Sequence, residues 1–298
     1  MRWALLLLVA PAIARADDVP PPSITVKITH ANDSVELVAA ELYGDRSRAA
    51  FLFLENKLTR PRPLRLGERI KAPVNRVAVA QPGDTFASIA KAWLGDERRG
   101  ELLAELNGMA PDADLPAGAV IQIPLTVTYT AVATESLASV AAGVLNDKGA
   151  ADLERRWNFL PDKAELAKGD SIVLVAPGAK TVKPAAIDDD ARARKDKREQ
   201  TIAAAQKAIP SARVASQLGE YAQVVTLLGR LDTAYLDAGD AADVGILLGE
   251  AQVALGDAAK AGEAFKRVTA RTPKRALRRY DTSPRILEVW QHAGGAVE

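Results

Sequence analysis

Read at an offset of 51 residues, this chain repeats itself. Asp33, Asp84 and Glu135 fall in register, as do Asp45, Asp96 and Asp147; Asn56, Asn107 and Asn158; Leu64, Leu115 and Leu166; and Gly67, Gly118 and Gly169. An apolar stripe recurs with them: Val35, Val38, Ala39, Leu42 and Tyr43 return as Phe86, Ile89, Ala90, Trp93 and Leu94, then as Leu137, Val140, Ala141, Val144 and Leu145. The spacing i, i+3, i+4, i+7, i+8 buries one side of a helix of about two to three turns. A fold for this chain has to build the same short helix, with the same flanking turns, three times in succession.

The segments around the stripe complete the unit. Ser34 and Thr85, each behind an acid, can accept hydrogen bonds from the free amides of the helix's first turn. A second short helix follows and stops at the in-register asparagine. After the in-register glycine come the alternating runs ERIKAP, AVIQIP and DSIVLV, and before each helix come ITVKIT, RVAVAQ and LTVTYTA. Alternation over such lengths reads as strand. Each copy is therefore predicted as strand, helix, helix, strand. In the third copy Val127 and Tyr129 fall one residue out of phase with Val77 and Val79, which turns the strand's apolar face outward unless a bulge or a shift restores it.

The ends of the chain differ from these repeats. MRWALLLLVAPAIARADD has one basic residue, an apolar run from Trp3 to Ile13 and small residues at Ala14 and Ala16. That is the layout of a secretory signal over residues 1–16, and it is too short to span a membrane. Cleavage after Ala16 removes Arg2 and Arg15 from the 39 basic residues and leaves 37 against 38 acidic ones. Such a balance steers the protein toward neither nucleic acid nor an anionic membrane. Zero cysteine excludes disulfides, thiolate metal sites and a lipid anchor at the cleavage site. No later apolar run reaches spanning length.

Beyond Pro177, residues 177–200 are charged, rich in alanine and poor in large apolar side chains, as in a linker running into an exposed helix. Residues 201–298 read as helix pairs. In DVGILLGEAQVALGDAAKAGEAFKRVTARTP, Leu248-Gly249, Gly256-Asp257, Ala261, Phe265 and Pro273 sit at the spacings of a tetratricopeptide repeat, which this stretch resembles. Small residues let two antiparallel helices approach, and Phe265 fills the gap. QLGEYAQVVTLLGRL resembles a degraded copy. DTSPRILEVWQHA opens on a cap with Pro284 in the first turn and buries Ile286, Leu287 and Trp290. The basic cluster Lys266, Arg267, Arg271, Lys274, Arg275, Arg278 and Arg279 is either a solvated face or a surface for an acidic partner.

The tandem repeat resembles the LysM domain. The residues that carry the resemblance are Pro82-Gly83-Asp84-Thr85-Phe86, Ile89-Ala90, Asn107, Leu115 to Gly118, Ile121 and Ile123-Pro124. It covers residues 76–125 well. Residues 24–73 and 127–176 match in length, helix stripe, asparagine and Leu-x-x-Gly, but HANDSV and VATESL lack the Pro-Gly of the first loop. The resemblance implies βααβ modules that bind N-acetylglucosamine-containing glycan, and behind an export signal it implies peptidoglycan. It further implies a shallow groove with Gly83, Asp84, Thr85 and Phe86 on one wall and Met109, Pro111, Asp112 and Ala113 on the other. Asp84 and Thr85 also serve as helix caps, and Asn107 as a loop brace, without any ligand. Trp93 and Trp157 are aromatic enough to stack on sugar, but Trp93 falls on the buried stripe.

Catalysis finds little to work with. Cysteine nucleophiles are absent, and zinc hydrolases need clustered histidines, whereas only His30 and His292 exist, in different domains. A glycosidase would need its carboxylates in the tail, where Glu220, Glu250 and Glu263 fit helix-pair patterns. The expected molecule is an α+β protein: three tandem βααβ LysM-like modules followed by an all-α tetratricopeptide-like domain. It is expected to be exported, non-catalytic and without cofactor or metal, to tether to peptidoglycan, and to meet a protein partner through residues 201–298. The alternative is a scaffold whose modules pack into one body and no longer bind sugar.

Overall fold

The computed structural model describes residues 19–30, 33–182 and 187–298. The expected signal segment, residues 1–16, lies outside them. In chain order the elements are β1 (Ser23–Lys27), α1 (Val35–Tyr43), α2 (Ala49–Glu55), β2 (Arg69–Pro73), β3 (Arg76–Val79), α3 (Phe86–Leu94), α4 (Gly100–Leu106) and β4 (Val120–Ile123). There follow β5 (Leu125–Thr130), β6 (Glu135–Ser136), α5 (Leu137–Val140), α6 (Ala151–Trp157), β7 (Glu165–Leu166) and β8 (Ser171–Ala176). The tail holds α7 (Asp189–Gln217), α8 (Tyr221–Leu228), α9 (Ala238–Ala254), α10 (Ala258–Arg271), β9 (Ala276–Leu277), α11 (Pro284–His292) and β10 (Ala296–Val297). Strands pair two by two: β1 with β2, β3 with β4, β5 with β8, β6 with β7, and β9 with β10.

Two compact units form, and their grouping is not the linear split expected at residues 177–200. Of the described residues, the first unit holds those up to Arg76, then Ala87–Gly108 and those from Gln122 to Val182; the second holds Val77–Phe86, Met109–Ile121 and Ile187–Glu298. The strand and loops of residues 77–86 and 109–121 thus belong with the helical tail.

In the first unit the in-register residues explain themselves by local chemistry. Asp45, Asp96 and Asp147 each open a 3-10 turn and accept from the amide two residues on, at 2.8, 3.0 and 2.8 Å. An anionic acceptor suits those orphan amides. Ser34 caps α1 through Leu37 N at 3.2 Å, and Ser136 caps α5 through Ser139 N at 3.2 Å. Asn56, Asn107 and Asn158 close α2, α4 and α6, each donating Nδ2 to the carbonyl four residues back, at 2.8, 2.8 and 2.9 Å. The same amides then bridge to a residue fifteen further on, in β2, β4 and β8. The residue after each asparagine takes a left-handed conformation, with φ of 53° at Lys57, 69° at Gly108 and 55° at Phe159.

The stripe is buried largely as read. Val35, Val38, Ala39 and Tyr43 line the core on α1; in the third copy Leu137, Val140, Ala141 and Leu145 do so, although α5 widens after Val140 into a π turn over Ala141–Leu145. These two sets share one hydrophobic cluster with Phe51, Leu52, Leu125, Val127, Ile172 and Leu174. Trp157 is fully buried against Leu102 and Val175. Trp93 is only half-buried, with the Arg76 guanidinium 5.5 Å over its ring. Arg76 itself is 3% exposed, donates to the carbonyls of Pro20 and Trp93 at 2.9 Å each, and has its pKa pushed down to about 10 by burial.

The phase mismatch in the third copy resolves as a shift. β1 and β2 pair Ile24 with Ala72 and Val26 with Ile70. β5 and β8 pair Leu125 with Ala176, Val127 with Leu174 and Tyr129 with Ile172. Relative to the first copy the partner strand has moved by one residue, which keeps opposed apolar side chains on one face. A strand whose apolar residues slip by one can bury them only if its register slips too.

In the second unit α7 begins at the cap Asp188, whose carboxylate accepts from Ala191 N at 2.6 Å, so the charged run from Asp189 is helix. α9 and α10 pack as an antiparallel pair because Gly245 and Gly249 carry no side chain: a Cβ there would lie 2.3 Å from Val268 and 2.2 Å from Phe265. Phe265 is fully buried and meets Trp290 edge-on, with ring centroids 5.3 Å apart. The tail is not purely helical as expected. β9 and β10 form a short parallel pair, Ala276 against Ala296 and Leu277 against Val297, and Trp290 Nε1 donates to the Ala296 carbonyl at 2.7 Å.

Candidate functional site

All eight residues singled out for glycan contact lie in the second unit. The first wall is a tight turn. Asp84 N donates to the Gln81 carbonyl at 3.1 Å, and Gln81 N donates back to the Asp84 carboxylate at 2.8 Å. Pro82 presets the second position of this turn and Gly83, at φ 87°, supplies the left-handed third, the pattern of a type II turn. A Cβ on Gly83 would meet nothing within 4 Å, so the glycine is there for its backbone angle, and the space above it is open.

Gly83 and Thr85 are exposed and Asp84 is half-buried. Phe86 is not on that surface: at 2% exposure its side chain belongs to the core, which corrects its placement on the groove wall by side chain. On the second wall Pro111 and Asp112 are exposed, while Met109 and Ala113 are half-buried. A turn from Ala113 N to the Ala110 carbonyl, 3.0 Å, shapes this loop. The exposed set is small and polar, with open backbone, and suits hydrogen bonding to a hydroxyl-rich or amide-bearing ligand rather than proton transfer. Trp157 is too deeply buried to act as a sugar platform, and one face of Trp93 is covered by Arg76.

Behind the loops lies an anchoring strip that local sequence patterns do not announce. Ala80 N donates to the Ala119 carbonyl at 2.8 Å and Gly118 N to the Ala80 carbonyl at 2.7 Å. Ala117 N donates to the Ala234 carbonyl at 2.8 Å, and Arg194 reaches the Val79 carbonyl at 3.4 Å. Gly118, at φ 76°, presses on α7, where a Cβ would sit 2.5 Å from the Arg194 carbonyl oxygen. Arg271 donates through Nε to Asp114 at 2.6 Å. These partners stand far apart in sequence, so no periodicity could have paired them. Of the basic cluster, Arg271, Arg275 and Arg278 are engaged by Asp114, Asp243 and Asp281.

Comparison with known proteins identifies one LysM domain, at residues 79–124. The exposed turn and loop described above therefore belong to a module of a class that points to peptidoglycan- or chitin-type glycan binding. Two curated proteins from two strains of Mycobacterium tuberculosis, each named an esterase, are 24% identical to this chain over 144 residues. The aligned stretch is 48% of this chain and 32% of each relative, so the chain spans about a third of their length. No described helix is long and apolar enough to cross a membrane.

Proposed function

We propose that this is an exported, non-catalytic cell-envelope protein that binds peptidoglycan through the LysM domain at residues 79–124, with a helical tail that meets a protein partner. The observation that carries the reading is the exposed loop pair of that domain, Gly83 and Thr85 on one side and Pro111 and Asp112 on the other. In this reading residues 24–73 and 127–176 are degenerate copies of the same unit, and 76–125 supplies most of the glycan affinity because only it keeps Pro82-Gly83 in the first loop. The likeness to proteins named esterases carries no catalytic assignment, since it covers 32% of each relative at 24% identity.

Retention of the full chain on purified cell-wall sacculi tests the proposal. Binding that falls when Gly83 is replaced by a bulky residue, with the helical signal intact, supports it. Equal loss from the matching changes at Asn32 and Thr134 would contradict the ranking of copies. A second reading is a structural scaffold without sugar affinity. It is favoured by the single hydrophobic cluster that joins residues of the first copy to those of the third, and absence of retention would establish it over the first.

A further inference from the structure

We propose that the helical tail is a working part of the glycan site: it braces the roots of both loops, and Arg271 is the positioning residue that holds the wall formed by residues 109–113. The inference rests on the reading of residues 79–124 as glycan-binding.

Arg271 stands at the end of α10 with its side chain only 20% exposed. Its Nη1 donates to the Thr233 carbonyl and its Nη2 to the Leu236 carbonyl, at 2.6 Å each. The remaining edge of the guanidinium grips Asp114, through Nε at 2.6 Å and through Nη2. A planar fork whose donors are divided among two fixed carbonyls and one carboxylate has a single orientation, so Asp114 is held by the tail's own backbone. Asp114 directly follows Ala113, the last residue of the candidate wall. Three residues further on, Ala117 N donates to the Ala234 carbonyl, in the same 3-10 turn that Arg271 clasps. Gly118 then lies against α7.

The other loop is rooted in the same strip. The Val79 carbonyl accepts from Arg194 of α7, and Ala80 pairs with Gly118 and Ala119 before the chain enters the Gln81–Asp84 turn. These contacts fall behind the loops, at residues 79–80 and 114–118. Gly83, Thr85, Pro111 and Asp112 remain exposed in front of them. A shallow groove that gains little from each sugar loses affinity if its loops must be ordered on binding, so ordering them beforehand raises affinity without a new contact. Lysine could not replace Arg271, because its ammonium lacks the bidentate fork.

The test uses the full chain and a chitin tetrasaccharide, with affinity measured beside hydrogen exchange of residues 109–119. Arg271→Ala is expected to weaken binding by about tenfold through lost preorganisation and to speed exchange in that segment, at unchanged helical signal. Asp114→Ala, which leaves Arg271 on its two carbonyls, should follow it, and serves alone if Arg271→Ala does not fold. Arg267→Ala, an exposed neighbour in the same basic cluster, should leave both readouts at the wild-type value. Wild-type affinity in Arg271→Ala or Asp114→Ala overturns the brace, as does an equal loss in Arg267→Ala, which would make the tail's charge the cause. If the wild-type chain itself binds no glycan, the underlying reading fails instead.

Discussion

Asn107 and Gln122 exchange two hydrogen bonds, from Asn107 Nδ2 to the Gln122 carbonyl at 3.0 Å and from Gln122 N to Asn107 Oδ1 at 2.8 Å. The pair repeats as Asn56 with Lys71 and as Asn158 with Val173. One side-chain amide thus closes a helix and ties it to a strand in each copy. Asn107→Ala removes three bonds, and Asn107→Asp keeps the acceptor but loses both donated bonds. The alanine change is expected to lower stability by about 1–3 kcal/mol, and the aspartate change by a comparable amount. Chemical denaturation of the full chain measures both; a loss within error for Asn107→Ala would show that water replaces the amide without cost.

Gly83 and Gly118 share a left-handed backbone and differ in surroundings. At Gly83 a Cβ meets nothing, whereas at Gly118 it would collide with the Arg194 carbonyl and with Arg198 Cβ, 2.7 Å away. Gly83→Ala should therefore cost about 1 kcal/mol, from backbone strain alone. Gly118→Ala should cost about 2 kcal/mol or more in addition and loosen the contact with α7. Thermal melting of the two variants side by side checks the ranking, which equal melting temperatures would refute.

Glu154 is fully buried, and both its carboxylate oxygens lie 3.1 Å from Val175 N. It occupies the register position that holds Leu52 and Leu103, also fully buried, in the other copies. Burial pushes its pKa up from 4.5 to about 8, against the opposing pull of the Val175 amide. The folded state therefore binds a proton that the unfolded state releases between those values. The resulting stability is complete below pH 4.5 and is lost as pH rises through about 8. Glu154→Gln should leave stability in acid nearly unchanged and raise it above neutrality. Denaturation midpoints across that range read the effect, and parallel curves for the two proteins would rule it out.

Phe265 fills the space that Gly249 leaves and abuts Trp290. Phe265→Ala should destabilise the second unit by about 3–5 kcal/mol, as expected for an aromatic removed from a closed core. Gly249→Ala should also destabilise it, by overpacking against the ring, typically by about 1–3 kcal/mol. Chemical denaturation followed by circular dichroism reads both changes. A Gly249→Ala protein as stable as the wild type would mean that α9 and α10 can separate freely.

Much of this architecture was legible because its causes are local. The Ser34 cap, the asparagines that close short helices and the amphipathic stripes depend on neighbours within about one helical turn. The candidate turn at Gln81–Asp84 was legible for the same reason: Pro82 and Gly83 preset its backbone angles. Phe86 shows the two readings in competition: the apolar stripe buries it and the resemblance put it on the groove wall, and at 2% exposure its side chain follows the stripe.

What the sequence determined by itself was local: the stripe that buries one side of each short helix and the in-register residues that cap and close such helices. What the tertiary structure decided was the company these elements keep. The one-residue shift of β8 against β5, the shared cluster of the first and third copies, and the grip of Arg271 on Asp114 all join residues distant in the chain. Such pairings depend on shape and on leftover donors and acceptors at folded surfaces, which no local period encodes. The physical reason is one of range: capping and helical periodicity act within a few residues, whereas burial and hydrogen bonding between elements depend on where the whole chain has already gone.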